Sequence, residues 1–245
     1  MTLSSESACT LLSRGVVTRA MREAQELAQT AVQAGRFRGG RSGHSAKALG
    51  RVAARLKRDR STVAARVTGT RSRPVLEVLR RVPECLTERP HRGETYAIRG
   101  ITYEVAEYDP VRPDPDTSIN VGLIEHAMRR WVERGGAGDP REHLLRKLDA
   151  EVLRIVRLDD FRLAVRNAMA PGAVRRTFGI PSGAGLWVAA TSLTRYPRGD
   201  YVRGVSLRTF LGPHELNDSQ QAYQRLAEAE GIPAAEARFP HLFKR

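Results

Sequence analysis

The residues with the widest chemical reach are two His-x-x-Arg pairs, His126 with Arg129 and His143 with Arg146. At that spacing an imidazole and a guanidinium share one helical face, an arrangement suited to DNA strand transfer through a tyrosine nucleophile. No tyrosine on a helix follows either pair at a useful distance. With six histidines and 37 arginines in 245 residues, about one such pair is expected by chance. Asp109, Asp114 and Asp116 could hold metal ions for phosphodiester hydrolysis, but they sit among prolines and lack a companion Glu-x-Lys. They read as a solvated acidic loop. The run Gly179 to Gly185, GIPSGAG, lacks the lysine of a phosphate-binding loop and the nucleophile of a strained elbow. No acid, base and nucleophile come together, so the chain reads as a non-enzyme with no cofactor and no metal.

What the chain has in quantity is positive charge. It carries 41 basic residues against 27 acidic ones, a formal net charge of +14. The excess is local. Residues 36–92 hold 16 Lys and Arg against Asp59, Glu77, Glu84 and Glu88, so +12 of the +14 lies in this stretch. A basic block of that kind is the electrostatic footprint expected of a nucleic-acid-binding segment. Lysine occurs only at Lys47, Lys57, Lys147 and Lys244, and the remaining basic residues are arginine. Arginine suits phosphates and guanine edges, although a GC-rich coding sequence gives the same skew. Cys9 and Cys85 form neither a metal spacing nor a disulfide framework. There is no run of 18 apolar residues and no basic-then-apolar leader, so the expected location is cytoplasmic, with the nucleoid, and no membrane partner is expected.

The element that would position this charge lies between Ser45 and Arg73. Ala48, Leu49, Val52, Ala53 and Leu56 keep the spacing of one helical face. Lys57-Arg58-Asp59-Arg60 interrupts it, and Val63 and Val67 resume it one turn apart. The pattern predicts a helix-turn-helix, with small Ala53 at the crossing and the second helix in the major groove. Its DNA-facing residues would be Lys57, Arg58, Arg60, Ser61, Thr62, Ala64, Ala65 and Thr68, with Arg71 and Arg73 on flanking phosphates. Lys57 stands where glycine usually makes the turn, at a cost of about 1 kcal/mol if the backbone there is left-handed.

Around that motif the expected fold class is α+β: an all-helical domain over residues 1–92, then a mixed α+β domain over 93–245. Residues 1–10 read as disordered, 11–34 as a helix and 37–44 as a basic flexible connector. Val75 to Val82 is expected as a short amphipathic helix. The pattern from Thr95 to Tyr108 predicts two strands turning at Arg99-Gly100, followed by a proline-rich loop over 109–120. Helices are expected over 121–134 and from an Asp139 cap through Ile155, with a restart at Asp159 or Asp160. A loop over 171–185, a hairpin of strands 186–196 and 201–211, a helix over 214–230 and an irregular tail complete the chain.

Residues 45–82 resemble the DNA-binding part of the terminal proteins that cap linear actinomycete chromosomes and plasmids. The resemblance rests on Lys47-Ala48-Leu49, Thr62-Val63, Gly69, Arg71 to Arg73 and Pro74, and Lys57 and Arg58 depart from the family pattern. It implies binding to telomeric or other double-stranded DNA, with a DNA polymerase and a telomere-associated protein as partners. It also implies a side-chain hydroxyl that starts DNA synthesis in place of a primer 3′-OH. Such a hydroxyl must be exposed. Ser182, Thr191, Ser192 and Thr194 are the candidates, with Tyr196 and Tyr201 as the phenolic ones. Two other readings compete: a helix-turn-helix transcriptional regulator that dimerises through its C-terminal half, and a DNA-processing enzyme with an unrecognised active site.

Overall fold

The structure, a computed structural model, describes residues 5–33, 45–82, 89–91, 94–96, 99–110, 116–139, 142–159, 161, 163, 165, 177–183, 185–195 and 201–243. It is a mixed α+β fold. The chain runs α1 (Ser5–Gln33), α2 (Ala46–Leu56), β1 (Thr62–Gly69), β2 (Pro74–Val82), β3 (Arg89–His91), β4 (Glu94–Tyr96), β5 (Gly100–Tyr108) and β6 (Asp116–Ile124). It continues with α3 (Glu125–Glu133), α4 (Leu144–Arg157), β7 (Thr177–Ser182), β8 (Gly185–Arg195), β9 (Tyr201–Leu211), α5 (Asp218–Glu230) and α6 (Ile232–Arg238).

Seven strands form one sheet in the order β1-β2-β5-β6-β9-β8-β7, antiparallel except where β6 runs parallel to β9. Strands from both sides of residue 92 therefore share a sheet, and the division expected there does not part it. Alternation along the strands sends Leu79, Ile101, Tyr103, Val105, Val121 and Leu123 into the main core with α1, α3 and α4. On the other face α2 lays Leu49 and Ala53 against Ala65, Leu76 and Tyr108, a second and smaller core. Tyr223 of α5 closes the β7 edge by donating to the Gly179 carbonyl at 3.0 Å.

Several expectations are corrected. The second helix of the helix-turn-helix is strand β1, and the expected helix over Val75–Val82 is its partner β2. Val63, Val67 and Val75 are β-branched and fit a strand as well as a short helix. Pairing with β5, from Tyr108↔Leu76 to Thr102↔Val82, settles the matter through contacts some 20–30 residues distant in sequence. Gly100 is not a hairpin turn. It lies in β5 opposite Ile124, where an added Cβ would sit 2.2 Å from the Leu123 carbonyl oxygen. The helix expected from Val121 begins at Glu125, because Val121 and Leu123 alternate into the core beside β9. α4 begins at Leu144 rather than at an Asp139 cap, after His143 in a left-handed conformation. Residues 177–182, expected as loop, are β7; the first residues are helical from Ser5; and α6 occupies the tail. The expected β8–β9 hairpin is present. The connector over 37–44 lies outside the described residues.

Candidate nucleic-acid interface

α2 forms because Ser45 caps it, its hydroxyl accepting from the Ala48 N–H at 3.2 Å, and because its apolar face finds the β1–β2 ribbon. The opposite face carries Lys47, Arg51 and Arg55, each four residues from the next and all exposed. Successive cations on this stripe rise about 6 Å along the axis. The helix contains no acidic residue.

Beyond Leu56 the chain turns without left-handed backbone. Lys57 has φ −59° and ψ −19°, so the strain expected there does not arise. Asp59 makes the turn instead, its Oδ1 accepting from the Ser61 N–H at 2.8 Å and from the Ser61 hydroxyl at 2.9 Å. This commits the one acid of the segment to the backbone and leaves Lys57, Arg58 and Arg60 exposed. The turn is pinned from below. Arg81 donates from Nη1 to the Arg60 carbonyl at 2.9 Å, and its backbone N–H donates to the Ser61 carbonyl at 2.9 Å.

The ribbon ends in a two-residue loop at Arg71-Ser72, closed by reciprocal Thr70–Arg73 backbone hydrogen bonds of 3.2 Å. Gly69 allows it. Its φ is +79°, and a Cβ there would meet the Arg73 carbonyl oxygen at 2.4 Å. Arg71 projects at the tip, exposed. Arg73 is exposed too, but it grips the buried Asp109 through Nε at 3.2 Å and Nη2 at 2.9 Å.

The expected DNA contacts thus separate. Lys57, Arg58, Arg60 and Arg71 lie exposed on the same module as the α2 stripe. Ser61 and Ala65 are buried at 1% and 2% exposure and cannot meet a ligand. Thr62, Ala64 and Thr68 are half-buried, and Thr68 donates to the Val75 carbonyl at 3.4 Å. Arg73 anchors the ribbon. Sequence reasoning missed Lys47, Arg51 and Arg55, although their i, i+4, i+8 spacing in an acid-free helix was a legible signal. It had assigned the first helix to support and the second to contact.

Charge pairing sharpens the picture. Within residues 45–82, Arg66 pairs with Glu77 at 2.6 Å, Arg73 with Asp109, Arg80 with Glu104 and Arg81 with Asp149. Among the described residues no acid lies within ion-pair reach of Lys47, Arg51, Arg55, Lys57, Arg58, Arg60 or Arg71. Among the described residues this surface therefore gathers cations without their counter-charges.

Two of the candidate hydroxyls do not share this openness. Ser182 and Thr191 are buried at 6% and 2% exposure. Ser192 and Thr194 lie in β8, with side chains outside those described, as is the side chain of Tyr201; Tyr196 lies outside the described residues altogether. Ser182 belongs to a packed network. The Glu151 carboxylate accepts from Arg154 at 2.8 and 2.9 Å and from Trp187 Nε1 at 2.8 Å, and Arg154 also donates to the Pro181 carbonyl at 2.7 Å. Burial pushes the Glu151 carboxyl up, but hydrogen bonds from Arg154, Trp187 and Ser182 outweigh it and hold the group below the ordinary glutamate range. Every oxygen of that carboxylate is engaged in structure. The described residues contain no group of three or more His, Cys, Asp or Glu that could hold a metal ion, and no helix among them is long and apolar enough to cross a membrane. No family model matches the chain, and neither a curated protein nor a solved structure is found to match it.

Proposed function

We propose that the chain binds nucleic acid, double-stranded DNA in the first instance, through the α2 stripe, the turn after it and the tip of the β1–β2 ribbon. The observation that carries this reading is the run Lys47, Arg51, Arg55, Lys57, Arg58 and Arg60: exposed, consecutive along the surface and, among the described residues, unpartnered by acids. Phosphates would fix the protein on the duplex, with Arg71 on a flanking one, while Arg60 would reach a base edge. Fluorescence anisotropy with a labelled duplex tests it. Lys47→Gln/Arg51→Gln/Arg55→Gln removes three phosphate contacts, so the slope of log affinity against log salt should flatten by about 2.7. An unchanged slope would remove α2 from the interface.

The finer form of the proposal is the role of a telomere-capping terminal protein that primes synthesis at DNA ends. The resemblance of residues 45–82 supports it. The burial of Ser182 and Thr191 narrows the priming hydroxyl to Ser192, Thr194, Tyr196 or Tyr201. With a partner polymerase and telomeric DNA, the chain should take up one labelled deoxynucleotide. Alkali would release it from serine or threonine by β-elimination and leave it on tyrosine. Absence of labelling with the cognate polymerase would reduce the reading to DNA binding alone.

A further inference from the structure

The pair His126–Arg129, which is too common a spacing to mean anything by itself, lies in an unusual electrostatic setting on α3. That helix buries Ala127, Met128, Trp131 and Val132, and its outer edge carries His126, Arg129 and Arg130. The three lie at i, i+3 and i+4, so their side chains neighbour one another over one turn. Glu125 precedes Arg129 by one turn without an ion pair to it, and two other nearby acids are engaged elsewhere. Glu133 accepts from the buried Ser13 hydroxyl at 2.9 Å and reaches Arg130 only at 4.0 Å, while Glu215 is taken by Arg134. Arg129 adds a second, independent feature: its Nε is buried and has no hydrogen-bond partner. An unsatisfied buried donor on a cation is costly, and a bound anion would offset that cost through the guanidinium charge rather than through Nε itself, which lies below the surface.

We infer that His126, Arg129 and Arg130 form a second phosphate-binding site, on the opposite face of the sheet from α2, so that one molecule holds two separate duplex segments. α3 packs on the face that carries Val121 and Leu123, whereas α2 packs on the face that carries Ala65 and Leu76. One straight duplex cannot lie along both faces, because the sheet stands between them. The inference rests on the DNA-binding reading of α2. The state of His126 agrees with it: burial, then Arg130, Arg129 and Arg134, hold the imidazole below its ordinary value, with Glu133 alone opposing. A bound phosphate would reverse that field.

The test uses the full chain with two short duplexes of about 12 base pairs, one carrying a donor dye and the other an acceptor. The wild type should bring the dyes together at low salt. Arg129→Gln/Arg130→Gln should abolish the energy transfer while affinity for a single duplex changes less than about twofold, since one site remains. Lys47→Gln/Arg51→Gln/Arg55→Gln should also lose the energy transfer and, with three α2 cations gone, weaken single-duplex binding more than Arg129→Gln/Arg130→Gln does. Energy transfer that survives Arg129→Gln/Arg130→Gln overturns the inference, and so does a wild type that binds single duplexes without joining two; neither result touches the reading of α2. If no duplex binds, the reading of α2 falls, and the second site is decided by NMR titration of His126 with inorganic phosphate. A rise in the His126 midpoint that is absent from Arg129→Gln/Arg130→Gln sustains a phosphate site there, and no rise overturns it.

Discussion

The arginines of the α2 module and those of the α4 region are the same residue put to opposite uses. On α2 and the turn after it, Arg51, Arg55, Arg58 and Arg60 stand in solvent with no ion pair to an acid among the described residues. Beneath them Arg81, at 8% side-chain exposure, is enclosed: its Nε lies 3.0 Å from Asp149 Oδ1, its Nη2 meets Oδ2, and Tyr103 donates to the same Oδ1 at 3.0 Å. Burial, with Asp149 adding to it, raises the Tyr103 phenol well above its ordinary value, so it remains a donor at any physiological pH. Farther along α4, Arg154 is absorbed by Glu151 and Pro181. In a chain with 37 arginines, abundance says little. The partner, or its absence, separates a cation that builds the fold from one left open to solvent.

That contrast can be broken at its strongest point first. Asp149→Ala leaves Arg81 and the Tyr103 hydroxyl buried without their acceptor, and should cost about 3–5 kcal/mol in urea denaturation. It should also loosen the turn that Arg81 holds at Arg60. A loss below about 1 kcal/mol would mean that water replaces the carboxylate and that the pair is no keystone.

Gly69→Ala comes next. A positive φ and a collision with the Arg73 carbonyl should together cost about 1–3 kcal/mol and reposition Arg71. DNA affinity should fall with the cations all present, which separates geometry from charge. Equal affinity would place the ribbon tip outside the interface.

A smaller effect follows from Glu151. Its folded-state value is depressed, so the stability it contributes is present above the unfolded value of about 4.3 and is lost as pH falls through the folded one. Glu151→Gln should therefore remove part of the acid-side slope of stability against pH and leave the region near neutrality flat. A slope that is the same in both proteins would show that the carboxylate is not depressed. Smallest of all is the effect of Arg51→Ala on stability, within about 0.5 kcal/mol by thermal unfolding, because it touches nothing that folding needs.

Some elements were legible because their signals are local. Ala48, Leu49, Val52, Ala53 and Leu56, at the spacing of one helical face, specified α2. The turn residues between strands 185–195 and 201–211 specified the β8–β9 hairpin, whose partners are neighbours in the chain. The concentration of +12 within residues 36–92 was arithmetic, and it led to the module that carries the unpartnered cations. Of the expected contact residues, Lys57, Arg58, Arg60 and Arg71 are exposed there, while Ser61 and Ala65 were misassigned with the helix they belonged to.

Tertiary structure decided the rest. Residues 62–82 contain Val63, Val67, Val75 and Val78 at spacings that a short helix and a strand both accept, and local propensity does not choose between them. Pairing of β2 with β5 does so for residues 76–82, through backbone hydrogen bonds to residues 102–108 that no local window contains, and β1 then pairs with β2. The same non-local step turned the face of α2 expected to support a second helix into the underside of a helix that carries its own cations outward. Which arginines are enclosed and which stand open was fixed there as well, because Asp149, Glu104 and Asp109 reach Arg81, Arg80 and Arg73 only once the sheet has brought distant parts of the chain within hydrogen-bonding distance.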